Sequence, residues 1–314
     1  MVRKRTSPFD GVINVNKPSG MTSHDVVDRI RALAGTRRVG HTGTLDPMAT
    51  GVLPICVGQG TRIAQFLLAV DKEYLVEMLL GMVTDSQDTT GKVLEENPVT
   101  AISEEEIRSV LERFTGEIEQ VPPMISAKKY QGKRLYKLAR EGVEVERKPC
   151  KIVIQGLELV NLDLPRVRFH LACSKGTYVR TLCHDIGAAL GPGAAMCGLV
   201  RTRCGSFCID DSVSLGDLED QGIRPENVFS LDDALSCYPA IRVGELEERQ
   251  VVMGQAITGA GILESSDSFE AGSLVRVRGP HRNLLAVARA LLGSDKLDRM
   301  GANLRTIQPI KVFH

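Results

Sequence analysis

The stretch from Gly40 to Pro54, Gly-His-Thr-Gly-Thr-Leu-Asp-Pro-Met-Ala-Thr-Gly-Val-Leu-Pro, sets one carboxylate, Asp46, in a loop just ahead of an apolar run. Pro47 steers Asp46 away from the α region, and Gly43 and Gly51 admit turns that other residues resist, so the segment reads as a loop. A carboxylate presented there suits a nucleophile or base; the same pattern also suits an ordinary turn. Other chemistries lack their motifs, since no Walker loop, Rossmann glycine pattern, His-Glu-x-x-His or Gly-x-Ser-x-Gly occurs. The 8 cysteines form no Cys-x-x-Cys, and Cys183, His184, Cys204 and Cys208 match no zinc spacing, so reduced, packed thiols are expected. What remains is chemistry without cofactor or metal.

The flanking elements follow from periodicity and breakers. Gly11 to Asn16 reads as a strand, and Lys17-Pro18-Ser19-Gly20 breaks it. Ser23 is expected to cap a helix whose apolar face is Val26, Val27, Ile30 and Leu33, stopped by Gly35. Val52 to Val57 is strand-like and Thr61 to Leu68 helix-like; Lys72 to Leu80 alternates, with Tyr74, Val76, Met78 and Leu80 on one face. Ser103 and Glu106 have capping-box spacing before a helix ended by Gly116. Lys151 to Leu162 and Arg166 to Cys173 read as strands. Thr177 to Leu190 is a helix interrupted at Gly187, and Ala195 to Ile209 is β-rich, carrying Leu199, Arg201 and Arg203. Together these predict an α+β protein on a mixed, largely antiparallel sheet with flanking helices. Past a polar connection at 210–233, short β runs separated by glycines predict a small β-rich domain, with the boundary between 1–237 and 238–314.

With 314 residues, 43% hydrophobic and 25% charged, the chain can bury a large core. It contains no apolar run of bilayer length and no apolar stretch after Met1, which predicts a cytoplasmic protein off the membrane. Its 39 basic and 39 acidic residues cancel, arguing against a protein that coats nucleic acid generally. Their placement is uneven. Ser126 to Lys151 holds nine basic residues, among them Lys128, Lys129, Lys133 and Arg134, against three acidic ones. Such a patch can dock a phosphate backbone, or form a solvated face.

Several segments, in order, carry a resemblance that spans essentially the whole chain: Asn16 to Ser23, Gly40 to Pro54, Lys72-Glu73-Tyr74, Thr84-Asp85, Asp88 to Gly91, Pro122 to Lys129, Gly132 to Tyr136 and Ser174 to Leu182. Together they closely resemble the TruB family of tRNA pseudouridine synthases. The resemblance implies a pseudouridine synthase core with a thumb-like insertion at about 121–150 and a C-terminal PUA-type RNA-binding domain. It implies isomerisation of the uridine at tRNA position 55, in the T loop, without cofactor. By the same resemblance Asp46 is the catalytic carboxylate, Arg180 its cationic partner, and Tyr74 the ring that stacks on the extruded base and takes the departing proton. His41 enters the emptied T loop, Leu199 lines the uracil pocket, and Lys17 orients the catalytic loop or meets phosphate. The expected partner is the tRNA T stem-loop, with no obligatory protein partner, for a monomer. Asn16, Val200 and Cys150 depart from the family's usual residues at supporting positions. Two other readings stay open: a guide-dependent dyskerin-like subunit, and an RNA-folding module that binds and extrudes the base.

Overall fold

The computed structural model describes residues 9–126, 128–297 and 304–313. These form two compact units. One comprises 14–55 and 64–223, the other 9–13, 56–63 and the residues after 223.

The large sheet runs in the order Val213–Ser214, Gly11–Lys17, Thr50–Val57, Ala194–Cys204, Lys72–Leu80, Arg166–Cys173, Cys150–Asp163, Gly116–Gln120. Ala194–Cys204 lies parallel to Thr50–Val57 and antiparallel to Lys72–Leu80. The register puts Arg201 opposite both Gly51 and Tyr74, and Leu199 opposite Val76. Alternation in Lys72–Leu80 buries Tyr74, Val76, Met78 and Leu80, as its pattern predicts. The expected α+β architecture on a mixed sheet is therefore present. A second sheet of six short strands, Ile257–Thr258, Arg305–Val312, Leu284–Ala290, Leu274–Arg278, Ala240–Val243 and Ile262–Ser265, forms the β-rich C-terminal part. Its own core includes Ile241, Val275, Val277, Ala286 and Ile307.

Three local expectations change. Thr22, not Ser23, caps the helix Ser23–Ala34, exchanging hydrogen bonds with Asp25 in a capping box. The expected helix over Thr61 to Leu68 is a 3₁₀ segment, Gly58–Arg62, followed by the short helix Ala64–Leu67. There the backbone of Gly11 crowds Gly60, where a Cβ would lie 1.9 Å from the Gly11 carbonyl oxygen. Gly187 does not interrupt its helix, which runs unbroken over Val179–Leu190. It is the point of closest packing, since a Cβ there would meet the Ala194 nitrogen at 2.2 Å.

The thumb segment folds as a hairpin, Lys129–Tyr130 with Lys133–Arg134, and a helix, Leu135–Arg140. Its two-residue turn has positive φ at both Gln131 (46°) and Gly132 (86°), the type I′ geometry that matches strand twist.

Candidate active site

Asp46 opens a β-turn. Pro47 occupies the second position and the Ala49 amide donates to the Asp46 carbonyl at 3.0 Å. The ordinary turn and the presented carboxylate are thus one structure. Its rigidity comes from long-range bonds. The Gly20 amide donates to the Pro47 carbonyl (2.8 Å), and the Thr42 amide to that of Pro54 (3.2 Å). Ser23, released from capping, bonds the Leu45 backbone twice: its hydroxyl donates to the carbonyl (3.1 Å) and accepts from the amide (2.9 Å).

Lys17 is 0% exposed. Its ammonium donates to the carbonyls of Ala49 (2.7 Å), Pro18 (2.8 Å) and Pro47 (3.2 Å). Three carbonyls take up its three N–H donors, an arrangement that suits loop orientation, one of the two roles expected for it. Burial lowers its pKa to about 8, partly offset by the nearby Asp46 charge.

Arg180, 7% exposed, begins the helix Val179–Leu190 and converges on Asp46 from the other side of the cleft. Its Nε lies 3.0 Å from Asp46 Oδ2. Nη1 donates to Asp88 Oδ2 (3.3 Å) and the Ser86 carbonyl (3.0 Å), and Nη2 to the Ile125 carbonyl (2.9 Å). One guanidinium therefore faces two carboxylates and holds a planar fork that lysine could not reproduce. The helix start is itself clamped: the buried Gln120 side chain accepts from the Tyr178 amide (2.8 Å) and donates to its carbonyl (3.0 Å).

Burial raises the Asp46 pKa, Arg180 opposes that, and the Asp88 charge adds to it. Tyr74, 8% exposed, is pushed up to about 12 by burial, with Arg201 pulling against it through charge and a hydrogen bond. His41 accepts a bond from the Gly43 amide at Nδ1 (3.3 Å), closing the loop locally. Burial and the Arg201 charge lower its pKa, so the ring is neutral near pH 7.

Asp46, Arg180, Tyr74, His41, Leu199 and Arg134 all line one open cleft of about 1350 Å³. Lys17 lies behind it. Lys128 and Lys133 are exposed away from it; Lys128 donates to Cys150 Sγ (2.7 Å), and Lys133 pairs with Glu141 at 3.8 Å. The side chain of Lys129 lies outside the described residues. Two residues of the site had been given no role from sequence. Asp88 sits within a short polar run that carries no periodic signal. Arg201 was legible: it shares the inward phase of its strand with buried Leu199, an unusual place for a charge. Among the described residues no three His, Cys, Asp or Glu side chains group to hold a metal, and no disulfide joins any of the eight cysteines.

Residues 31–179 match the TruB family pseudouridylate synthase N-terminal domain, 180–236 the tRNA pseudouridylate synthase B C-terminal domain, and 239–311 the PUA domain. The chain is 46% identical over 299 residues to a tRNA pseudouridine synthase B of Pelotomaculum thermopropionicum, covering 93% of this chain and 94% of that protein. It is 42% identical over 308 residues to one of Heliobacterium modesticaldum, covering 97% and 96%. Among solved structures, it resembles a chain of a Cbf5-Nop10-Gar1 complex with a TM-score of 0.77 and 28% identity, covering 97% of this chain and 85% of that one.

Proposed function

The chain belongs to the TruB family of pseudouridylate synthases, and from that premise we propose how its cleft turns the uridine at position 55 of the tRNA T loop into pseudouridine. The reaction breaks the N1 glycosidic bond, turns the uracil in place and joins its C5 to the same sugar carbon. Because the target base is folded into an RNA loop, it must be extruded before any side chain can reach it.

Breaking the bond leaves the sugar electron-deficient, and Asp46 attacks or stabilises that carbon and later leaves. Only the ionised carboxylate can do so. Arg180 keeps Asp46 ionised against the effect of burial and fixes its orientation. Tyr74 offers the base an aromatic face and its hydroxyl exchanges the proton, Leu199 bounds the pocket, and His41 takes the place vacated in the T loop. Arg134, with Lys128, Lys129 and Lys133, meets RNA phosphates along the thumb. Lys17 acts only through the loop that carries Asp46. The strongest single support is the 3.0 Å ion pair between Arg180 and Asp46 in the cleft that Tyr74 also lines.

We assign 1–237 to catalysis and 238–314 to RNA binding, in a cytoplasmic monomer that needs no protein partner. The test is to incubate the purified protein alone with an unmodified T stem-loop and map pseudouridine by carbodiimide labelling and primer extension. Product at the T-loop uridine is expected. Intact binding without product would transfer the assignment to a guide-dependent subunit or to an RNA-folding module, the first also suggested by the 28% identity to the Cbf5-containing complex.

A further inference from the structure

Arg201 is 1% exposed and is among the largest side chains that solvent does not reach. Its neighbours in the cleft and along the strand, Arg180 and Arg203, each face a carboxylate. Among the described residues no carboxylate lies within ion-pair distance of Arg201, so its charge is balanced only by dipoles. A buried cation left without a counter-ion is costly, and it strengthens every interaction it makes with a neighbouring oxygen.

Those interactions are specific. Nε donates to the Val52 carbonyl at 2.6 Å and Nη2 to the Gly43 carbonyl at 3.2 Å, so one guanidinium grips both ends of the loop that carries Asp46. Gly51 makes room for the Arg201 backbone, since a Cβ there would lie 2.3 Å from its carbonyl oxygen, and Gly43 faces Nη1, which a Cβ would meet at an ordinary contact distance of 3.6 Å. On its other side Arg201 is the cross-strand partner of Tyr74 and shares a hydrogen bond with the phenol. Cys173 and Cys204 disfavour ionisation of that phenol, and Arg201 favours it; Lys72, buried on the same strand face, is coupled by charge to the same three groups, and Asp46 and Arg180 line the same cleft.

We propose that Arg201 is the positioning residue for proton transfer, holding the Tyr74 oxygen in place and stabilising its phenolate while the tyrosine gives its proton to N1 of the uracil and then takes one from C5. This rests on the reading of Tyr74 given above. The bookkeeping closes. When the glycosidic bond breaks, its electron pair leaves on N1, which takes the phenolic proton and leaves a phenolate beside Arg201. When C5 bonds the sugar carbon and Asp46 departs as carboxylate, the C5–H proton passes to the phenolate and its electron pair restores the ring double bond. Phenol and carboxylate are regenerated, and uridine and pseudouridine have the same composition.

The test uses single-turnover rates on an unmodified T stem-loop for Arg201→Gln, Arg201→Lys and Tyr74→Phe, and for the glutamine and lysine changes combined with Tyr74→Phe. Arg201→Gln is expected to slow the reaction by roughly 10²-fold or more, in the range seen for removing a buried donor to developing charge, and Arg201→Lys by less. Either change should cost clearly less once Tyr74 is phenylalanine, because coupled residues are not additive, and the loss that remains belongs to the bonds to Val52 and Gly43. Replacing Tyr74 by a ring-fluorinated tyrosine, a more acidic phenol of nearly the same shape, should restore much of the rate lost in Arg201→Gln. A purely structural arginine would give no such rescue. If the glutamine variant does not fold, the lysine variant, which keeps the charge, carries the same rescue measurement. Equal losses with and without the Tyr74 hydroxyl, or no rescue by fluorotyrosine, would overturn the proposal. Ordinary turnover by Tyr74→Phe alone would instead overturn the role assigned to the tyrosine.

Discussion

Asp46 carries its charge where burial disfavours it, and the rate of any step that needs its carboxylate depends on how far Arg180 offsets that burial. Asp46→Asn is expected to lower isomerisation by roughly 10⁴-fold or more, as losing a nucleophile does. Binding of the T stem-loop, measured by filter retention, should change by less than about 1 kcal/mol; a variant with ordinary turnover would remove Asp46 from the mechanism. Because the folded pKa of Asp46 is raised, the rate should climb with pH through a point above the usual aspartate value of about 3.9 and then level. Arg180→Met removes the cation that opposes burial, so this acid limb should move to still higher pH, read from single-turnover rates across a pH series. Lys17 is the opposite case. Its folded pKa of about 8 lies below its ordinary 10.5, so the unfolded chain holds the proton more tightly and this group's contribution to stability rises with pH between the two. Lys17→Met should abolish that rise in chemical denaturation, and should slow catalysis by loosening the loop.

The catalytic loop works as a unit because three side chains from distant strands and a helix, Lys17, Ser23 and Arg201, bond its carbonyls and amides. Its glycines are equally necessary. Gly51 has φ of 98° and no room for a Cβ, so Gly51→Ala should destabilise the protein by about 1–3 kcal/mol and depress turnover through the displaced strand. A thermal melt identical to the unaltered protein would show that the strand pairing tolerates a side chain there. The segment expected as a thumb is held differently, by a hairpin, a short helix and exposed charges, as suits the RNA contact proposed for it. Reversing Lys128 and Lys133 to glutamate should weaken binding and flatten its salt dependence, with each lost phosphate contact removing about 0.7–0.9 from the log–log slope. An unchanged slope would take those lysines off the RNA.

Across the whole chain, 39 basic and 39 acidic residues cancel, so attraction for RNA must come from local patches and not from net charge. The site lies wholly within the unit formed by 14–55 and 64–223, and the six-stranded sheet has a separate core of its own. Among the described residues no helix is long and apolar enough to cross a membrane. The isomerisation as proposed is complete in atoms and electrons with side chains alone. Excess chelator is therefore expected to leave the rate on an isolated stem-loop unchanged, measured with the same single-turnover assay; a chelator-sensitive rate on that substrate would call for a metal in the mechanism.

Much of this was local information. Glycine and proline around Asp46 dictate a turn whatever the rest of the chain does, strict alternation dictates the buried face of Lys72–Leu80, and ordered motifs carry the family. Periodicity also fixes the mixed sheet and the β-rich C-terminal part. What periodicity could not supply was which distant groups meet. Thr22 displaced Ser23 as cap because an adjacent Asp25 completes a capping box, freeing Ser23 for the loop. Lys17 reads as an exposed lysine until the Asp46 turn folds over it. Asp88 joins Arg180 only when the segment around Ser86 closes on the helix, and Arg201 becomes an unpaired cation beside Tyr74 only through strand register. A carboxylate in a turn is a property of neighbouring residues and was determined by sequence; the partners, burial and acidity of that carboxylate arise from groups far apart along the chain, and tertiary packing decided them.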